Sequence, residues 1–192
     1  MNYYSSLMKE MLDDETYRHS RRVAEAAVKL AEHYGIDPGK AKLAAIVHDY
    51  GKRYSRQELI QKANQLGLKL DRITRQQEKL LHAPVGAALL ESELKILDPE
   101  VAGAVAYHTT GRIGMTLLEK ILYLADFIEE GRRYEGVEFI RKAAYSNLER
   151  ALLAAVDMTI KSVVARGLLL HPRSVAFRNR LLEEITNDPF HK

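Results

Sequence analysis

Helix start and stop signals recur along this chain at intervals too short to leave room for a sheet. From Asp14 to Tyr34, Val23, Ala26, Ala27, Leu30 and Tyr34 form a seam of 3.6-residue period that stops at Gly35. Asp37-Pro38 supplies an N-cap and a proline at the first helical position, opening a helix to about Asp49. Ser55 and Glu58 make a capping box for a helix ending near Gly67. His82-Ala83-Pro84 opens a short helix to about Leu94, and Asp98-Pro99 opens another that ends at His108. A second capping box, Thr116 with Glu119, starts a helix that runs to Glu130 and stops at Gly131. A long amphipathic helix covers about Ser146 to Arg166, and a last one about Arg173 to Ile185. Only short segments such as Leu168 to Leu170 are strand candidates. The pattern predicts an all-α fold, a single helical bundle over residues 1–186, with residues 187–192 a frayed tail.

A chain of 192 residues makes one domain or at most two small ones, and no linker or repeat divides it. There is no cysteine, which excludes disulfides, thiolate metal sites and cysteine nucleophiles. Any metal must be held by His, Asp or Glu, and a cytoplasmic home is the default. The longest apolar run falls far short of the roughly 20 residues that span a bilayer, and the first residues, MNYYSSLMKEMLDDE, carry no secretory pattern. A net charge of +3 is too mild to argue for nucleic acid but suits a small polyanion. The Arg18 to Arg22 cluster lacks the interleaved aromatics of a single-strand binder. P-loop, dinucleotide-glycine, H-E-x-x-H and G-x-S-x-G motifs are absent.

The chemistry concentrates where apolar helices run into polar residues. The stretch ending at Val47 leads straight into His48-Asp49, and Val101 to Tyr107 leads into His108. Asp126 is the only charge between Ile121 and Ile128, so it must be paired or face outward. His19 joins the seam of its own helix, four residues before Val23. Each has an ordinary alternative. A single histidine on a seam serves as a hydrogen-bonded core residue, and Asp126 shares a stripe with Glu119, Tyr123 and Glu130 that water can solvate. As a set, they offer the N and O ligands that Zn, Fe, Mn or Ni accept. His33 lies about 21 Å along the helix from His19, too far to share an ion, and reads as surface or packing. His171-Pro172 falls in a loop and His191 in the tail.

His19-Ser-Arg-Arg-Val23, His48-Asp49-Tyr-Gly-Lys52 and Ala125-Asp126 together resemble the HD-domain superfamily of metal-dependent phosphohydrolases. His82 and His108 extend the pattern to its two-metal subgroup. In that resemblance Asp49 bridges two ions, His19, His48 and Asp126 complete one site, and His82 and His108 the other. Tyr107-His108-Thr109-Thr110-Gly111, Lys120 to Asp126, Ile128-Glu129, Arg132 and Gly136-Val137-Glu138 narrow the likeness to the YqeK-type symmetrical bis(5'-nucleosyl)-tetraphosphatases. That family cuts diadenosine tetraphosphate into two ADP. The resemblance implies two divalent ions, iron or else Mn, Zn, Co or Ni, with a hydroxide held between them, and it is compatible with a homodimer. Two ions so placed lower the pKa of water and neutralise phosphate charge as the bond breaks.

Lys52, Arg132 and Arg22 are the cations next to these motifs, and Thr109, Thr110 and Gly111 offer hydroxyl and backbone donors beside His108. Asp49, Lys52 and Arg132 are the expected catalytic set, with Arg22 and the Thr109–Gly111 turn expected to bind substrate. Glu130 and Glu135 stand where the family often has proline. Two other functions fit parts of the pattern: an HD hydrolase of a nucleoside mono- or triphosphate, and a non-catalytic helical module that binds RNA or protein. A pure binding module has no need for all six metal-binding side chains.

Overall fold

The structure, a computed structural model, describes residues 2–186, so the expected frayed tail and His191 lie outside the described residues. Eleven α-helices and one 3-10 turn make up its regular structure. They are α1 (Asn2–Met11), α2 (Asp14–Tyr34), α3 (Pro38–Val47), the 3-10 turn (Tyr50–Arg53), α4 (Arg56–Gln65), α5 (Arg72–Gln76), α6 (Glu78–Leu94), α7 (Pro99–Tyr107), α8 (Leu117–Ile128), α9 (Val137–Ser146), α10 (Leu148–Ala165) and α11 (Pro172–Thr186). No strand occurs among the described residues, and Leu168 to Leu170 is irregular.

The helices begin where side chains satisfy their orphan N–H groups. Asp13 accepts from Glu15 N at 3.0 Å and Thr16 N at 2.9 Å to start α2. Both anticipated capping boxes are present, at Ser55 for α4 and Thr116 for α8. Asp37 caps α3 and Asp98 caps α7, each just before a proline. Lys40 ties those two starts together: its ammonium lies 3.0 Å from Asp98 and also pairs with Glu100. Helices α3 and α7 therefore leave from one point, pack on each other and deliver His48 and His108 at their far ends.

Helix α2 packs against α3 and α8, and α7 packs against α3, α6 and α8. Its seam of Val23, Ala24, Ala27, Leu30 and Ala31 meets Ala44, Ala45 and Val47 of α3, all at most 3% exposed. The small residues let the backbones approach. Larger side chains such as Leu30, Ile121, Leu122 and Leu124 fill the rest, each worth about 1.5–3 kcal/mol when removed from water.

Six elements depart from expectation. Helices α1, α5 and α9 were not anticipated: α5 has only 5 residues, too few for a periodic seam. Helix α6 starts at Glu78 rather than His82, so Pro84 lies inside it. That proline removes the N–H that would bond Leu80, a loss tolerated because Leu81, Ala83 and Val85 around it are completely buried. Helix α8 ends at Ile128, two residues early, and Glu129 turns out of it at ψ 157°. The long helix begins at Leu148, after an Asn147 cap.

One contact sets the position of the His48-Asp49 segment. Gly51 in the 3-10 turn lies against the His82 carbonyl, and Gly86 one turn further along α6 lies against Gly51 N. A Cβ on Gly51 would come within 2.3 Å of that carbonyl oxygen, so backbone must meet backbone here.

A polar clasp closes the far side. His171, 6% exposed, puts Nε2 3.1 Å from Asp71 Oδ2, and Thr74 donates its hydroxyl to the same oxygen at 2.7 Å. Arg173 N donates to His171 Nδ1 at 3.0 Å, which leaves Nε2 as the protonated nitrogen. Burial would raise the Asp71 pKa, but the Thr74 and His171 hydrogen bonds hold it below its ordinary 3.8. A carboxylate depressed in the folded state stabilises above its unfolded pKa and loses that contribution as pH falls through the folded value. Asp71→Asn is therefore expected to melt below the parent at pH 7, with the gap closing as pH drops below 3.8, measured by circular dichroism melts across pH.

Candidate metal centre

Five elements deliver the polar side chains to one point. His19 comes from the second turn of α2, His48 and Asp49 from the end of α3, His82 from α6, His108 from the end of α7 and Asp126 from the last turn of α8. His48 and Asp49 are completely buried, and His82 and His108 are 5% and 4% exposed. All six side chains expected to gather here do so.

Asp49 lies at the middle, and its two oxygens face different partners. Oδ2 is 3.2 Å from His48 Nε2 and 3.8 Å from His19 Nε2. Oδ1 is 3.2 Å from His82 Nε2 and 3.7 Å from His108 Nε2. Asp126 Oδ1 completes the first side, 3.0 Å from His19 Nε2. Donor atoms of His19, His48 and Asp126 lie within 4.8 Å of one another, as do those of His48, Asp49 and His108.

The donor set fits a cation. His48 Nδ1 donates to Ala45 O and His108 Nδ1 donates to Val105 O, both at 2.7 Å, so each ring turns Nε2 toward Asp49. His108 is pushed down to about 3, first by burial and then by the neighbouring His48 and His82, so its Nε2 presents a lone pair. It stands 3.1 Å from His82 Nε2. Buried His48 Nε2 and Asp49 Oδ1 have no aligned hydrogen-bond partner among the described residues. Burial works against a charge on His48, but the Asp49 carboxylate outweighs it and raises its pKa. Burial likewise opposes the Asp49 charge, yet His48 and Lys52 hold its pKa well below the usual range. A buried imidazole nitrogen and a buried carboxylate oxygen that converge without a hydrogen-bond partner form a seat for positive charge, and imidazole with carboxylate suits a divalent ion.

Glu129 enters the sequence reading only as part of the Ile128-Glu129 motif, with no role, and the structure places it behind His19. It is 2% exposed, and its Oε1 lies 3.3 Å from His19 Nδ1. Arg22 Nε donates to Oε2 at 2.6 Å, and Gly131 N donates to the same oxygen. A carboxylate on Nδ1 makes that nitrogen the donor and directs Nε2 inward, the arrangement that fixes histidine ligands around metals. The available signal was position: Glu129 directly follows the helix that carries Asp126, next to an arginine-rich turn.

A cleft of about 310 Å³ opens over the centre, lined by His19, Asp49, Arg22, Lys52, Glu129 and Arg132 among others. Lys52 reaches Asp49 Oδ2 at 2.6 Å and remains 44% exposed. Arg132 grips Asp126 through Nη2 at 2.7 Å and through Nε to its carbonyl at 3.0 Å, with its side chain 40% exposed. Arg22 spends two nitrogens on Glu129. The Thr109–Gly111 turn does not line this cleft. Buried Thr110 donates its hydroxyl to Gly111 O, and its own carbonyl accepts from Ser174. Gly111, at φ +63°, presses on the Phe177 ring of α11. Glu130 and Glu135 are exposed and also lie outside the lining of this cleft. Asp126 is not on a solvated stripe, because Glu119 above it is 3% exposed and bonded to Arg112. His33 packs its ring edge against Tyr34 and Tyr145.

Helix ends that bring imidazoles around a buried aspartate define a class of all-helical proteins built to bind divalent metal. The chain belongs to the HD domain family, whose sequence profile matches residues 16–180. It is 39% identical over 183 residues to the symmetrical bis(5'-nucleosyl)-tetraphosphatase of Halalkalibacterium halodurans, covering 93% of this chain and 95% of that one. The Bacillus subtilis enzyme of the same name is 37% identical over 175 residues, covering 91% and 94%. A crystal structure of an HD superfamily hydrolase from Clostridium acetobutylicum, described as involved in NAD metabolism, superposes with a TM-score of 0.91. It is 38% identical, covering 95% of this chain and 97% of that one. No helix of the described residues is long and apolar enough to cross a membrane.

Removing the support of His19 tests the geometry directly. Glu129→Ala is expected to weaken divalent-metal affinity about 10–100-fold, read by metal titration of the apoprotein, with the fold checked by circular dichroism.

Proposed function

We propose that this protein hydrolyses dinucleoside tetraphosphates symmetrically, converting diadenosine tetraphosphate and water into two ADP. The observation that carries this reading is the division of the Asp49 oxygens, Oδ2 toward His48 and His19 and Oδ1 toward His82 and His108, beneath a cleft lined by three cations. The names of the Halalkalibacterium and Bacillus relatives supply the substrate class. In this reading residues 1–186 act as one HD domain in the cytoplasm, where nucleoside polyphosphates are made.

His19, His48 and Asp126 would hold one ion, His82 and His108 a second, and Asp49 both, with iron the proposed metal and Mn, Zn, Co or Ni the alternatives. Divalent ions bound there would acidify water and offset phosphate charge. The chain's own residues do the rest. Lys52 and the free end of the Arg132 fork meet the inner phosphates, and Arg22 holds Glu129 and through it His19. Symmetric cleavage needs water to add its oxygen to the second phosphorus from one adenosine. The opposite ADP leaves with the bridging oxygen, so Lys52 and Arg132 act where negative charge gathers.

Three outcomes follow for purified protein. ADP is the sole nucleotide product, and in oxygen-18 water one label enters per substrate cleaved; AMP with ATP would instead mean attack at an end phosphorus. Lys52→Ala and Arg132→Ala keep their metal but slow turnover about 10–1000-fold, equivalent to about 1.4–4 kcal/mol. Metal analysis after anaerobic purification finds two ions in the parent and one in His82→Ala or His108→Ala, whereas Asp49→Ala loses both. Equal metal content in Asp49→Ala and the parent would remove the bridging role.

A further inference from the structure

Helix α8 carries Asp126 in its last turn, and the segment after it carries Glu129 and Arg132, so the way this helix ends sets where three groups of the centre stand. A helix leaves its last carbonyls without N–H partners. Here side chains from the following segment take them one by one. Arg132 Nε donates to Asp126 O at 3.0 Å, the Tyr134 hydroxyl to Phe127 O at 2.5 Å and Arg141 Nε to Ile128 O at 2.8 Å.

Arg141, on α9, goes further than its neighbours. Its Nη2 also donates to Glu129 O at 2.6 Å and to Arg132 O at 3.1 Å, while Nη1 pairs with Glu138 one turn back on α9. One guanidinium, 22% exposed, thus binds three carbonyls around the turn that holds Glu129. It stands at the C-terminal end of α8, the end of a helix that favours a cation. Arg22 holds the Glu129 carboxylate at 2.6 Å, so two arginines grip one residue from opposite ends, side chain and carbonyl. Gly131 leaves no slack between them, since a Cβ there would come within 2.7 Å of Arg22 Nε.

We infer that Arg141 is a positioning residue of the metal centre: it fixes the backbone of the Glu129 turn, and through Glu129 it aims His19 at the first ion. This inference rests on the metal binding in the proposed function. The Glu129–His19 contact is 3.3 Å, at the long edge of hydrogen-bond range, so a turn displaced by a few tenths of an ångström breaks it. The effect is one-sided. Helix α9 packs on α10, α8 and α2, whereas His82 and His108 come from α6 and α7. Loss of the Arg141 fork should therefore disturb the His19 side of Asp49 and spare the other.

The test titrates apoprotein with divalent manganese alone, in backgrounds that keep one side of the centre each. In His82→Ala, which keeps the first side, adding Arg141→Met is expected to raise the manganese Kd about tenfold, equivalent to about 1.4 kcal/mol. In Asp126→Ala, which keeps the second side, the same change stays within about twofold. In Glu129→Ala, where the path is already cut, Arg141→Met adds no more than about twofold, the non-additivity expected of residues that act in series. Circular dichroism checks each fold. Arg141→Lys keeps the charge but has no fork to bridge the carbonyls, and it gives the same one-sided loss should the methionine variant fail to fold. Equal weakening in the His82→Ala and Asp126→Ala backgrounds means general loosening and overturns the inference, as does an unchanged Kd in His82→Ala or a full further loss in Glu129→Ala. A parent apoprotein that binds no manganese overturns the metal reading and this inference together. A parent that shows the one-sided loss yet yields no ADP from diadenosine tetraphosphate upholds the role of Arg141 and overturns the proposed reaction alone.

Discussion

A carboxylate with no exposed surface, Asp49, is the constraint to which the rest of this structure answers. Burying such a charge without partners costs several kcal/mol, so the fold must bring positive or proton-bearing groups to both of its oxygens. Lys52 of the 3-10 turn does so at Oδ2, and the four imidazoles that α2, α3, α6 and α7 bring to the two oxygens are ligands for a cation that would complete the balance. The paired helices α3 and α7 share a start at Lys40 and place their terminal imidazoles 4.9 Å apart. The Gly51 contact brings the turn onto α6 so closely that Asp49 reaches His82. A side chain at Gly51 would push these apart, and Oδ1 would lose its closest nitrogen.

Much of this was legible in the sequence because helix ends carry local chemistry. The Asp-Pro pairs and both capping boxes mark real helix starts, and an apolar run entering a histidine correctly marks α3 and α7. Pro84 misled because its ring is as compatible with a first helical turn as with a tolerated interior position; only burial on its flanks decides between them. The short α5 holds too few residues for a seam, and α1 and α9, of 10 residues each, begin without the Asp-Pro pair or capping box that marks α3, α4, α7 and α8. The role of Glu129 was hidden for a different reason. Its importance comes from His19 and Arg22, more than 100 positions away, and no spacing rule reports a contact of that range.

The donors beside His108 show the limit of adjacency. Thr110 and Gly111 follow that histidine directly, yet the turn after α7 faces α11, where Ser174 and Phe177 claim the Thr110 carbonyl and the Gly111 surface. A helix that ends on its ligand sends the next residues away in a direction set by the turn. Lys52 follows its ligand too, but after a tight 3-10 turn whose N–H bonds back to Asp49 O at 2.9 Å, and that curl returns the side chain to the cleft.

The three cations of that cleft are not spare charges. Lys52 is held by Asp49, Arg132 by Asp126 and Arg22 by Glu129, each within 2.7 Å. A polyphosphate that draws on Lys52 therefore competes with a buried carboxylate, and leaving that carboxylate unpaired would cost more than a surface ion pair returns. Lys52 can turn from Asp49 to phosphate only where another positive charge takes its place. The lone pairs gathered around Asp49 offer the seat for that charge, so occupation of the centre and release of Lys52 toward the cleft are linked by one electrostatic balance. Arg22 stands outside it, because Glu129 has no other full-charge partner as close, and through Glu129 it holds His19.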